Sequence, residues 1–253
     1  MKTFPLSVFL LLLNSFFLAA QPGALDPDFG VGGTVVTNVA ANAVEYPYDC
    51  TQQPDGKILV AGAYSLGNAS NIFLVRYDPS GSPDSTFGVN GIVTSSFGPA
   101  KVGANAIALQ ADGKILVAGQ SSLNNLVDYA LVRYLPNGAI DTTFGTGGKT
   151  TTDLGSTYET ANALALQADG KIISVGSVYG TSVDFGIVRY NSNGSLDSSF
   201  GSGGIVITSI EEEDQANAVS VQADGKIVVA GYSSISAKGD FSVARYNTDG
   251  TLD

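Results

Sequence analysis

Ala111-Asp112-Gly113-Lys114-Ile115-Leu116-Val117-Ala118-Gly119 reads as an Asp-Gly turn feeding an apolar strand, and near-copies of it begin at Pro54, Ala168 and Ala223. Asp-Gly-Lys recurs at Asp55, Asp112, Asp169 and Asp224, at spacings of 57, 57 and 55. Two further landmarks keep the same period. Phe-Gly pairs begin at Phe29, Phe87, Phe144 and Phe200, and Arg-Tyr pairs at Arg76, Arg133, Arg189 and Arg245. Self-similarity at a fixed period of this kind signals a repeat architecture rather than a single irregular globule.

Working outward from the turn, each unit contains four short strands. The first follows the Phe-Gly turn, as in Gly204-Ile205-Val206-Ile207-Thr208, where β-branched residues favour extended backbone. The second is Asn105 to Gln110, echoed at Asn162 to Gln167 and Asn217 to Gln222, with large and small side chains alternating. The Asp-Gly turn, of the type whose positive φ angles suit a tight hairpin, leads into the third strand. The fourth is Tyr129 to Tyr134, closed by the turn Pro136-Asn137-Gly138. Four strands in about 57 residues without helical periodicity define an all-β chain, a β-propeller of four four-stranded antiparallel blades, with units at about 25–82, 83–139, 140–195 and 196–253. An open arc of blades from a longer array and a β-solenoid are the competing arrangements; tight hairpins such as Gln110 to Lys114 disfavour the solenoid. An open arc would expose blade faces and strand edges and self-associate.

Three stretches carry a resemblance to a known family. They are Leu-Asp-x-x-Phe-Gly-x-Gly-Gly at Leu25 to Gly33, the run Ala163 to Ile172, and Asp-Phe-x-x-x-Arg-Tyr-Asn-x-x-Gly-x-Leu-Asp at Asp240 to Asp253. They resemble the delta-60 repeat of bacterial secreted and surface proteins. That resemblance implies a β-propeller of unknown function and supplies no catalytic motif. The first unit departs most, with Tyr48-Asp49-Cys50-Thr51-Gln52-Gln53 in place of the apolar second strand, as suits an end blade with a polar exposed face.

Residues 1–20 carry Lys2, an apolar run through Leu10 to Leu13 and Phe16 to Leu18, and Ala19-Ala20. This reads as a signal peptide, followed by the propeller over 21–253, and places the protein outside the cell or on its surface with no membrane insertion after cleavage. The net charge is −11, and one unit more negative once Lys2 is removed, with Lys and Arg spread evenly along the chain. Such a body is repelled by nucleic acid and by anionic membranes.

Chemistry is narrowed in the same way. The chain has no histidine and one cysteine, which excludes Ser-His-Asp and Cys-His catalysis, ordinary zinc sites and internal disulfides. Cys50 occupies the position of Ile107, Leu164 and Val219, which predicts a buried, inert thiol. Residues present in every unit, the four Arg and the turn Asp among them, are expected to hold blades together by ion pairs and hydrogen bonds. Turns such as Asn191-Ser192-Asn193-Gly194 with Asp197 look loosely like the opening of a calcium loop but lack its closing Glu. Two acidic features stand out. Glu211-Glu212-Glu213-Asp214 occurs only in the fourth unit and is the candidate for a cation such as calcium or for a basic partner. Counting back ten from each repeated Asp finds Glu45, Glu159 and Asp214, with Val102 in the second unit, so these three acids could ring one face. No other cofactor is expected. Loops that differ between units, including Ser121 to Val127, Thr151 to Glu159 and Ser177 to Val183, are rich in Ser, Asn, Gly and Tyr and suit recognition of a protein or a glycan. The expected function is an interaction or adhesion scaffold without catalysis. A carbohydrate-active enzyme using paired loop carboxylates and a calcium-stabilised surface module are the alternatives.

Overall fold

The computed structural model describes residues 23–253 apart from 68, 99 and 237, so the signal peptide expected at 1–20 lies outside the described residues. The described chain is all-β. Blade 1 comprises β1 (Val44–Gln52), β2 (Ile58–Leu66), β3 (Ala69–Tyr77) and β4 (Ile92–Ser95). Blade 2 comprises β5 (Lys101–Leu109), β6 (Ile115–Leu123), β7 (Leu126–Tyr134) and β8 (Lys149–Thr152). Blade 3 comprises β9 (Tyr158–Leu166), β10 (Ile172–Tyr179), β11 (Val183–Tyr190) and β12 (Ile205–Thr208), and blade 4 comprises β13 (Glu213–Val221), β14 (Ile227–Ile235) and β15 (Lys238–Tyr246). Pairing within each blade is antiparallel, and single parallel bridges, Val127 to Tyr158 and Val183 to Glu213, link neighbouring blades. Contacts between β1 and β5, β5 and β9, and β9 and β13 identify these as the inner strands.

Blade and sequence unit are out of phase by one strand. The Phe-Gly strand that opens each unit pairs with the last strand of the unit before it, so β4, β8 and β12 are the outer strands of blades 1, 2 and 3. Backbone hydrogen bonds fix this: Arg133 N donates to Gly148 O and Asp141 N to Arg133 O, which folds the outer strand straight back onto β7.

The repeated turn differs in detail from the expectation. Gln110 N donates to Lys114 O, Gly113 takes φ +80°, and Asp112 is not in the left-handed region. It is a three-residue loop in which glycine alone carries the positive angle, and Asp112 Oδ1 accepts Lys114 N at 3.2 Å. A two-residue turn with both central residues at positive φ occurs instead at Asn124 and Asn125, between β6 and β7.

The core lies between blades. Leu59, Ile72 and Leu74 pack on Val117, Val132 and Tyr134; Leu116 and Leu131 on Ile172 and Tyr190; Ile173 and Ile187 on Val229 and Tyr246. Inner strands β5, β9 and β13 bulge at the repeated Asn, and in the first two the freed side chain crosses to the next blade: Asn105 Nδ2 donates to Ala161 O and Asn162 Nδ2 to Ala216 O, both at 2.9 Å. No contact of comparable extent joins β13 to β1 among the described residues, so the four blades form an open arc. The buried thiol expected at Cys50 is therefore corrected: Cys50 is exposed, because among the described residues no blade lies in front of β1 to cover the face that Ile107 presents to blade 1.

Candidate functional site

The repeated charges are engaged in blade cohesion. In each blade the Arg of Arg-Tyr pairs with the Asp of the following Leu-Asp-x-x-Phe-Gly motif or its equivalent, eight residues on: Arg76 with Asp84 at 2.8 Å, Arg133 with Asp141 at 2.9 Å, Arg189 with Asp197 at 2.7 Å. The lysine of Asp-Gly-Lys joins the same carboxylate in blades 1, 3 and 4, Lys57 to Asp84 at 3.1 Å, Lys171 to Asp197 at 3.3 Å and Lys226 to Asp253 at 2.6 Å, whereas Lys114 turns back to Asp112. Hydrogen bonds from Thr86 hold the Asp84 carboxyl well below its usual range, and bonds from Ser199 together with Lys171 and Arg189 lower Asp197 to about 2 against the opposing effect of burial. The turn at Asn191 to Gly194 is likewise structural: Asn193 Oδ1 accepts Ser195 N at 3.0 Å, and Asp197 faces Arg189.

The three acids read as a ring occupy equivalent places at the entry to inner strands β1, β9 and β13. Their carboxylates face inward on the chain. Glu45 accepts from Val39 N and Ala40 N at 2.7 and 2.9 Å, Glu159 from Leu154 N and Ser156 N at 2.7 and 2.8 Å, and Asp214 from Ile210 N and Glu211 N at 2.6 and 3.0 Å. Glu159 and Asp214 are fully buried. Each acid thus gathers the orphan N–H groups of the loop that crosses from one blade to the next. In the acidic run, Asp214 makes that bond, Glu212 accepts Ser236 N at 2.8 Å, and Glu211 and Glu213 are exposed. The four do not converge on one point as a grouping of ligands.

Among the described residues, the acids that do converge are Asp128, Asp153 and Glu159, which each place a carboxylate oxygen within 4.8 Å of the others. Asp128 lies on β7, Asp153 just after β8 and Glu159 on β9, so the junction of blades 2 and 3 assembles them. Burial, with the neighbouring Asp153, pushes the Asp128 carboxyl above its ordinary range, and burial raises Glu159 despite its two backbone donors. Beside them Tyr158 and Tyr179 stack edge to face with centroids 4.9 Å apart, Tyr158 being partly exposed. Asp153 escaped the reading of the repeats. The available signal was its singularity, since the corresponding positions in the other units are Asn38, Ser96 and Ser209.

Three blades of four antiparallel strands and a fourth of three, packed face to face around inner strands, define a β-propeller-type repeat protein. The family described as Domain of unknown function (DUF5122) beta-propeller matches residues 53–87, 110–144, 167–200 and 222–253, more than half of the chain, and the protein belongs to it. No curated protein matches the sequence significantly. Among solved structures the chain is similar to the GH43 endo-arabinanase from Bacillus licheniformis, at 15% identity and TM-score 0.46 over 82% of this chain and 76% of that one. It is also similar to the mannose phosphorylase MPT-4 from Leishmania mexicana, at 13% identity and TM-score 0.44 over 81% and 65%, and to Drosophila Semaphorin 1b, at 14% and 0.41 over 81% and 41%.

Proposed function

We propose that the protein is a secreted or cell-surface interaction scaffold that binds a protein or glycan without transforming it. The observation that carries this reading is the division of labour among its charged residues. The repeated Arg and Lys side chains are taken up in ion pairs within the blades, whereas among the described residues only the junction of blades 2 and 3 gathers three carboxylates, Asp128, Asp153 and Glu159, beside the unrepeated Tyr158 and Tyr179. An exposed tyrosine face beside carboxylates suits a sugar ring or a basic peptide side chain. Reading the units as delta-60 repeats, a set found in secreted and surface proteins, supports the extracellular placement, as does the leader-like sequence at 1–20. The test is binding of the purified protein to glycan and peptide arrays, repeated with Tyr158→Ala and Asp153→Asn. The scaffold reading requires a ligand lost in both variants and returned chemically unchanged.

A second reading, carboxylate-based glycan cleavage, is favoured by one observation. Burial and the neighbouring Asp153 raise the Asp128 carboxyl, and the two carboxyl groups lie with oxygens within 4.8 Å of each other, a pair of acids such as that chemistry uses. Release of reducing sugar from a polysaccharide panel, abolished in Asp128→Asn, would establish it in place of the scaffold. The calcium-stabilised alternative predicts a melting temperature that falls on chelation, and an unchanged melting curve dismisses it.

A further inference from the structure

The two ends of the blades differ in charge. One end carries the Asp-Gly-Lys turns and the Arg-Tyr corners, and there each of the four repeated lysines and four repeated arginines pairs with an aspartate. The other end carries the hairpin tips between β2 and β3, β6 and β7, β10 and β11, and β14 and β15, together with the loops that cross between blades. Around blade 3 this tip end is acidic: Asp128, Asp153 and Glu159 stand at the junction with blade 2, Glu211 to Asp214 at the junction with blade 4, and Asp184 between them. Among the described residues no lysine or arginine belongs to these tips and loops. Lys149, at the start of β8, instead donates to Ser96 O and lies over Phe97 at the junction of blades 1 and 2.

Strand register makes the two acidic groups the ends of one row. Val127 bridges Tyr158, Tyr158 pairs with Tyr179, Tyr179 pairs with Val183, and Val183 bridges Glu213. Asp128 follows Val127 and Glu159 follows Tyr158, so the row runs from the first acidic group to the second across β7, β9, β10, β11 and β13. Its ends are four strand spacings apart, about 19 Å. At its centre Tyr158 and Tyr179 stack edge to face, and Ser156 Oγ ties the crossing loop to Tyr179 O at 2.6 Å. Burial, with Tyr158 and Glu213 nearby, pushes the Tyr179 phenol up, in keeping with the position of that ring beside the second acidic group. On the flanks Leu123, Leu126 and Ile210 are each more than a third exposed.

A row with carboxylates at both ends, tyrosine rings at its centre and aliphatic side chains on its flanks is complementary to a cationic chain. Guanidinium and ammonium groups gain charge-assisted bonds from the carboxylates and attraction from the tyrosine faces, while their methylene stems cover the leucines and the isoleucine. A neutral sugar would use the rings but leave the eight carboxyl groups around blade 3 unmatched. We propose that the tip end of blade 3 docks an extended, arginine- or lysine-bearing segment of a partner protein, laid across the strands from Asp153 to Glu213. This occupant presupposes the scaffold reading above and gives the bound protein its chemistry. An extended segment advances about 3.3 Å per residue, so cationic side chains about six residues apart reach both acidic groups at once.

The probe is a dye-labelled peptide, Arg-Arg-Gly-Ser-Gly-Ser-Arg-Arg, titrated with the full chain, as processed by the expressing cell, and followed by fluorescence anisotropy. One companion peptide carries citrulline in place of every arginine, and another gathers the four arginines into one block. The first peptide is expected to bind at low salt, to weaken steeply as salt is added, and to bind more tightly than the block, with the citrulline peptide left unbound. Asp153→Asn combined with Glu213→Gln, both at exposed positions, should weaken binding by roughly tenfold, and Tyr158→Ala by roughly threefold, with circular dichroism unchanged. Asp55→Asn combined with Asp224→Asn removes the same charge at the opposite end and should leave the affinity unchanged. Equal binding of the citrulline peptide, tighter binding of the arginine block, no binding of the first peptide at low salt, or an equal loss from the two double variants would overturn the proposal. Retention of a neutral glycan by these loops without the arginine peptide would overturn it and leave the scaffold reading standing, whereas chemical change of the bound molecule would overturn both.

Discussion

Replacing Arg133, Arg189 and Arg245 in turn by alanine should give three different outcomes, although the local sequence around each is nearly the same. Arg133 is buried. It pairs with Asp141, which is 3% exposed, donates across the junction to Ser192 O, and lies 4.6 Å from the Phe144 centroid. Because Lys114 is engaged with Asp112, Arg133→Ala leaves Asp141 with bonds from Thr143 but no cation. Removing one partner of a buried pair in this way costs about 3–5 kcal/mol. Arg189→Ala leaves Lys171 at 3.3 Å from Asp197, so the stranded charge is partly compensated and the loss should be nearer 2–3 kcal/mol, within the usual range for a charged hydrogen bond plus packing. Arg245 is half exposed, and its pair with Asp253 should contribute roughly 0–1 kcal/mol. Urea titrations followed by circular dichroism, at dilutions where the chain is monomeric and with coincident probes to check two-state behaviour, give the three values. The reasoning fails if Arg189→Ala costs as much as Arg133→Ala, or if Arg245→Ala costs as much as either.

The carboxyl of Asp197 lies at about 2 when folded against roughly 3.9 unfolded, so its contribution, about 2 kcal/mol, is present above pH 4 and lost as the pH falls toward 2; Asp197→Asn should flatten that limb of the stability curve measured by thermal melts. Asp128 and Glu159 have raised carboxyls, so the cost of ionising them is present at neutral pH and relieved as the solution is acidified. Asp153→Asn should therefore stabilise the fold near pH 7 by about 0.5 kcal/mol, allowing for solvent screening, and the gain should disappear by about pH 4. Gly176→Ala would set a Cβ 1.8 Å from Thr160 O on the adjoining inner strand, where β9 bulges, and should destabilise by about 3 kcal/mol or more, whereas Gly180→Ala meets nothing closer than 3.8 Å and should be neutral in the same melts.

Much of the architecture was legible because it repeats. The period, the hairpin turns, the strands and the structural role of Arg76, Arg133, Arg189 and Arg245 all follow from residues that recur where the chain must solve one packing problem again. The candidate site was not legible in that way. Glu159 was visible as an acid at a repeated position, but Asp128 and Asp153 lie in different units and meet it only because the outer strand of blade 2 ends beside the inner strand of blade 3.

By itself the sequence determined that the chain is a series of antiparallel β units, since strand periodicity and turn residues are local properties carried by neighbours along the backbone. Only the tertiary structure decided that a blade borrows its outer strand from the next unit, that Glu45, Glu159 and Asp214 hold crossing loops, and that Cys50 and Phe241 are exposed. These depend on which blade lies in front and which behind. A residue at the same place in every unit has the same chemistry but not the same neighbour, and the end blades of an open arc are where that difference falls.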